Sequence, residues 1–131
     1  MHFVGKSGRR NKVLVVDDEP SVRQALAELL RAAGHTVIEA ENGPAGLGAL
    51  KSSPVDLVLS DLGMPEMTGW EVARAIKATT PKTPIILLTG WGEQLVGQSE
   101  GREIVDRVLG KPVRLKDLLA AIAELTGPPQ S

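Results

Sequence analysis

The chain has 131 residues, 42% of them hydrophobic and 24% charged, with no cysteine. This balance excludes a disordered chain and a disulfide-stapled miniature, and fits one compact domain with an aliphatic core. Fifteen Lys and Arg against sixteen Asp and Glu give a net charge of -1, which offers no general attraction for nucleic acid, so direct nucleic-acid binding is not expected. No apolar run reaches the roughly 18 residues that span a bilayer, and no secretory signal opens the chain, so no membrane insertion and a cytoplasmic location are expected.

Residues 1–11 are Gly-rich and polar and read as a flexible N-terminal arm; the basic cluster Lys6, Arg9, Arg10 and Lys12 reads as solvated charge. Lys12 to Val16 is a continuous β-branched and aliphatic run, as a strand buried on both faces requires, and it stops at Asp17, Asp18 and Glu19. Pro20 suits the first turn of a helix in which Val22, Ala25, Leu26, Leu29 and Leu30 recur at helical spacing until Gly34. Thr36 to Glu39 reads as a second strand, and Asn42 caps a weaker helix from about Pro44 through Lys51 that contains Gly46 and Gly48.

Asp56 to Ser60 gives a third strand ending at Asp61, after which Thr68 caps a helix bearing Val72, Ala73 and Ile76. Ile85 to Leu88 is a fourth strand ending at Thr89, and Val105 to Leu109 a fifth, followed by Lys111, Pro112 and a last helix from Leu115 to Leu125. Glu93 to Glu103 supplies the remaining helix, short or irregular because Gly97 and Gly101 each cost about 1 kcal/mol relative to Ala inside a helix. The folded unit therefore covers residues 12–126, with 127–131 as a flexible tail. Five β-α repeats with short connections predict an α/β fold, a parallel sheet with helices on both faces.

Three strands end in chemically useful residues: Asp17 and Asp18 after the first, Asp61 after the third, Thr89 after the fourth; Lys111 follows the fifth. In a parallel sheet these positions share the carboxyl edge, so three carboxylates, a hydroxyl and an ammonium converge. Clustered carboxylates repel one another, and a hard cation such as Mg2+ relieves that repulsion while leaving room for a phosphate oxygen. A carboxylate can attack phosphorus to give an acyl phosphate, with Lys111 as a movable point charge and Thr89 as a hydrogen-bond donor to the same group. Alone, Asp61 would read as a turn residue, Lys111 as a solvated lysine and Thr89 as an ordinary strand residue; the shared edge changes all three readings. Pro65 and Gly69 read as shape for a sharp loop, and Met64 and Met67, with no cysteine or nearby histidine, as packing.

The turn Asp17-Asp18-Glu19-Pro20, the string Asp61-Leu62-Gly63-Met64-Pro65 with Gly69, Leu88-Thr89-Gly90, and Lys111-Pro112 together resemble the signature of response-regulator receiver domains, from Lys12 to about Leu125. The resemblance implies a flavodoxin-like sheet of order 2-1-3-4-5 and a cis peptide at Pro112. It implies that Asp61 is phosphorylated by a histidine kinase or phosphotransfer protein. It implies Mg2+, with Mn2+ able to substitute, on Asp18, Asp61 and the carbonyl of Gly63, with Asp17 acting largely through water. A downstream protein target and homodimerisation on phosphorylation are implied partners, and the chain would be a phosphoacceptor that supports its own slow dephosphorylation, not a turnover enzyme. A stand-alone regulator and a receiver cut from a hybrid sensor kinase both remain open.

The chain departs from the receiver pattern at Val108, where an aromatic commonly stands, so the two-state element is expected in the Gly-rich segment from Gly90 to Glu103. Trp91, two positions after Thr89, is expected to cover the pocket mouth and lengthen the life of the acyl phosphate, since Gly63 has no side chain to guide water. His35, at the far end of the first helix, and His2, in the arm, fall away from the acidic edge. A haloacid-dehalogenase phosphatase would need Asp-x-Asp after the first strand and a cap region, and a flavodoxin-like carrier a phosphate-cradling loop where this chain has two carboxylates. An adaptor that keeps the fold without the phosphorylation is the remaining alternative.

Overall fold

The computed structural model describes residues 10–90 and 104–126. The strands are β1 (Lys12–Val16), β2 (Thr36–Ala40), β3 (Leu57–Asp61), β4 (Ile85–Thr89) and β5 (Arg107–Gly110); the helices are α1 (Pro20–Ala32), α2 (Gly43–Ser52), α3 (Gly69–Thr79) and α4 (Leu115–Thr126). All strand pairs are parallel and the order is β2-β1-β3-β4-β5, as the receiver resemblance implies. Every residue of β3 and β4 is buried, which is why those segments are apolar without alternation.

Alternate side chains of the central strands feed two cores. Val13, Val15, Leu57, Leu59, Ile86 and Leu88 meet Leu26, Ala27 and Leu30 of α1 and Leu118, Ala121 and Ile122 of α4. Leu14, Val16, Val58, Ile85 and Leu87 meet Val72, Ala73 and Ile76 of α3, with Leu47 and Leu50 of α2 packed on the rim. The strand period of two therefore decides which helix each residue touches.

Local chemistry sets the helix ends. Helix α1 starts at Pro20 and stops in a Schellman motif: the Gly34 N–H donates to the Arg31 carbonyl and the His35 N–H to the Leu30 carbonyl, both at 3.0 Å, with Gly34 at φ 104°. Asn42 caps α2 through Oδ1, which accepts from the Ala45 N–H at 2.8 Å. Thr68 caps α3 and Glu71 returns the bond to the Thr68 N–H at 2.8 Å, completing a capping box.

The fifth strand starts two residues later than the apolar run suggests. Ile104 and Val105 pack against the α3-side core, while Asp106 closes the ladder: its N–H donates to the Ile85 carbonyl at 2.9 Å and its carboxylate accepts from the Ile85 N–H at 2.8 Å. Lys77 of α3 then reaches the same carboxylate at 3.3 Å. Asn11, which the sequence places in the arm, is buried at the foot of β1. The helix expected over Glu93 to Glu103, Trp91, His2, the switch segment beyond Gly90 and the tail 127–131 lie outside the described residues.

Candidate phosphoacceptor and metal site

Strand register brings the acidic residues together. Val16 stands opposite Ser60 on one side and Ala40 on the other, so Asp17 leaves the sheet beside Asp61. Thr89 stands opposite Gly110, and the Lys111 N–H donates to the Thr89 carbonyl at 2.7 Å, which turns Lys111 toward the same edge. Carboxylate oxygens of Asp17, Asp18 and Asp61 lie within 4.8 Å of one another. Lys111 Nζ sits 2.7 Å from Asp61 Oδ1 and 3.8 Å from Asp17 Oδ2. Thr89 is buried at the end of β4, and Gly63 is exposed two residues beyond Asp61. All six residues that the sequence nominates thus fall on the carboxyl edge or the loop above it, and His35 lies at the opposite edge.

The pocket is electrostatically unbalanced. Asp17 is only 1% exposed; Oδ1 accepts from the Glu19 N–H at 2.9 Å, whereas Oδ2 has no hydrogen-bond partner. Burial, reinforced by Asp61 and Asp18, pushes the Asp17 carboxyl above its ordinary range, although the Glu19 N–H and Lys111 pull the other way. Burial alone would depress the Lys111 ammonium, but its hydrogen bond to Asp61 and the charges of Asp61, Asp17 and Glu19 outweigh burial and raise its pKa. A single ammonium against three clustered carboxylates leaves surplus negative charge. An orphaned buried carboxylate oxygen within an all-oxygen donor set suits a hard divalent cation.

The loop after Asp61 is shaped by close approach. A Cβ on Gly69 would stand 2.7 Å from the Asp61 carbonyl oxygen and 2.9 Å from Leu62 Cα, and the Gly69 N–H donates to the Leu62 carbonyl at 2.9 Å. Glu66 takes a positive φ of 69° while the Met67 N–H donates to the Pro65 carbonyl at 2.6 Å, a tight turn. Met64 is buried, and Met67 sits against Gly43, where a Cβ would fall 2.5 Å from its sulfur; both methionines pack, as expected. The Lys111-Pro112 bond is cis. Val108 is half-buried against the α3-side core.

Two contributors escape a residue-by-residue reading of the sequence. Ser60, fully buried, donates its hydroxyl to the Asp61 carbonyl at 3.0 Å. Arg23 of α1 donates from Nη1 to the Asp17 carbonyl at 3.0 Å. Position in the first turn of a helix that follows the acidic turn was the available signal for Arg23; that its side chain folds backward was not legible.

Comparison with known proteins agrees with this geometry. The family model of the response regulator receiver domain matches residues 13–123. The transcriptional regulatory protein GlrR of Escherichia coli (strain K12) is 37% identical over 110 residues, which are 84% of this chain but 25% of GlrR. The response regulator receiver protein CpdR of Brucella abortus is 31% identical over 87% of this chain and 95% of its own length. Among solved structures, the response regulator TrrA of Thermotoga maritima, in complex with Mg2+ and BeF, superposes with a TM-score of 0.80 at 33% identity, covering 87% of this chain and 97% of that one. The family-model match over residues 13–123, most of the chain, together with these relatives, means that this protein belongs to the response regulator receiver domain family of two-component signalling.

Proposed function

We propose that Asp61 is the phosphoacceptor and that Asp17, Asp18, Asp61 and the Gly63 carbonyl form the Mg2+ site, with Asp17 acting largely through water and Mn2+ able to substitute. The observation that carries this reading is the cluster of three carboxylates within 4.8 Å of one another beside Lys111, whose ammonium lies 2.7 Å from Asp61. An Asp61 oxygen attacks the phosphorus of a phosphohistidine on a kinase or phosphotransfer protein; the P–N bond breaks, its electron pair leaves on the imidazole, and an acyl phosphate remains. The cation, when bound, neutralises charge on the incoming phosphoryl oxygens. Lys111 follows the charge from Asp61 onto the phosphoryl group, and the Thr89 hydroxyl donates to another of its oxygens.

The domain, residues 12–126, acts as a signalling phosphoacceptor and not as a turnover enzyme, and its phosphorylated state changes the binding of a downstream protein or of a second copy. A protein target fits a net charge of -1 better than nucleic acid does. Among the described residues no helix is long and apolar enough to cross a membrane, which is compatible with a cytoplasmic place beside a kinase.

Incubation with Mg2+ and acetyl phosphate, followed by intact-mass measurement, tests this directly. Wild type should gain a single phosphoryl group only when Mg2+ is present, and Asp61→Asn should gain none. An unmodified wild type, confirmed with a phosphohistidine donor, would leave the fold as an adaptor.

A further inference from the structure

Arg23 clamps the acidic turn through the turn's main chain. Its N–H donates to the Glu19 carbonyl at 2.9 Å, and its side chain folds back so that Nη1 donates to the Asp17 carbonyl at 3.0 Å. Nε donates to Glu39 Oε1 at 3.3 Å, and the side chain is only 13% exposed. The Asp17 N–H is already taken by the Ala40 carbonyl at 3.1 Å. Both main-chain polar groups of Asp17 are therefore fixed, one by strand β2 and the other by Arg23.

We infer that Arg23 is a positioning residue for the cation: it acts through Asp17, and Glu39 is the strut that holds it in place. The inference rests on the Mg2+ reading of the pocket given above. Carboxylates gathered within 4.8 Å repel one another, and a turn free to move would let them part before a cation arrives. With the main chain pinned and Oδ1 tied to the Glu19 N–H, Asp17 cannot swing away, and Oδ2, which has no hydrogen-bond partner, stays in the pocket.

The clamp does not compete with the metal because Arg23 bonds the main-chain carbonyl of Asp17 and leaves its carboxylate to the pocket. Glu39 pairs with Arg23 and also with Arg31, each at 3.3 Å, so its one carboxylate offsets part of the charge of both guanidiniums while Arg23 delivers a directed donor to the Asp17 carbonyl. A guanidinium spans a carbonyl and a carboxylate with two fixed donors, whereas a lysine ammonium presents one point charge on a flexible stem.

Isothermal titration calorimetry of the full chain with Mg2+ tests the assignment, for wild type, Arg23→Met, Arg23→Lys and Glu39→Gln, alongside thermal melts and amide exchange at Glu19 without metal. Arg23→Met should weaken Mg2+ binding about tenfold, as loss of an outer-shell partner does, and speed exchange at the Glu19 N–H. Arg23→Lys should recover part of the affinity, and Glu39→Gln should lose less than Arg23→Met because the bond to Asp17 remains. An unchanged Mg2+ affinity in Arg23→Met, even with a lower melting temperature, would reduce Arg23 to helix packing; should that variant not fold, an unchanged affinity in Arg23→Lys and Glu39→Gln overturns the inference equally. A wild type that binds no Mg2+ would remove the metal reading and this inference with it, whereas a binding wild type with indifferent variants removes this inference alone.

Discussion

Asp17 carries the sharpest tension among the described residues. Its carboxylate is buried, one oxygen has no hydrogen-bond partner, and Lys111 is nearer to Asp61 than to it. Keeping that group ionised without a cation costs folding stability, because desolvation and like charges oppose the ionised form. Asp17→Asn preserves the acceptor for the Glu19 N–H and removes the charge. We therefore expect the metal-free variant to melt a few degrees above wild type, on the order of 1 kcal/mol at this size. Saturating Mg2+ should raise the melting temperature of wild type and leave that of Asp17→Asn nearly unchanged, since only a ligand bound to the folded state shifts the equilibrium. Thermal melts at neutral pH with and without Mg2+ decide it.

Glycines separate two kinds of element in this fold. In α3, Gly69 opens the helix directly beneath the end of β3, and a side chain there would collide with main-chain atoms of Asp61 and Leu62, which have no rotamer to yield. Gly69→Ala should cost about 2 kcal/mol in urea unfolding and slow phosphorylation by displacing Asp61. In α2, Gly48 is exposed with nothing within 4 Å of its Cβ position, so only helix propensity acts. Gly48→Ala should stabilise by roughly 0.5–1 kcal/mol and leave the phosphorylation rate alone. Gly69 shapes the loop beside Asp61, in line with its reading as shape, whereas Gly48 merely weakens its helix.

At the scale of the whole molecule, the foot of the sheet is tied by Asn11. Its N–H donates to His35 Nδ1 at 3.1 Å, its carbonyl accepts from the Thr36 N–H at 2.9 Å, and its side chain donates to the Thr126 hydroxyl at 3.3 Å. The beginnings of β1 and β2 and the end of α4 thus meet at one point. Burial lowers the His35 pKa below its ordinary value, and the bond from Asn11 selects the imidazole with Nδ1 unprotonated. The unfolded chain then binds the proton more readily than the folded one, so the stability from neutral His35 is complete above about pH 6.5 and is lost as pH falls below it. His35→Gln should flatten the pH dependence of urea unfolding between about pH 7 and 5; a variant curve parallel to wild type would place the titration elsewhere.

The sequence by itself determined the order of the described elements, the two-sided burial of the central strands and the edge on which the nominated residues gather. Each follows from local rules: continuous apolar runs, caps at Asn42 and Thr68, a stop at Gly34, and the right-handed crossover that puts all strand ends on one side. The start of β5 falls later than expected because Val105 is apolar for packing and not for pairing, and periodicity cannot tell the two uses apart. The tertiary structure alone decided that Asp17 Oδ2 is left without a hydrogen-bond partner, that Gly69 lies against the Asp61 carbonyl, and that Arg23 and Glu39 brace the acidic turn. These depend on distances between residues brought together by sheet register, across separations that no local pattern encodes, and it is there that a set of strand-end residues becomes a charged pocket of fixed shape.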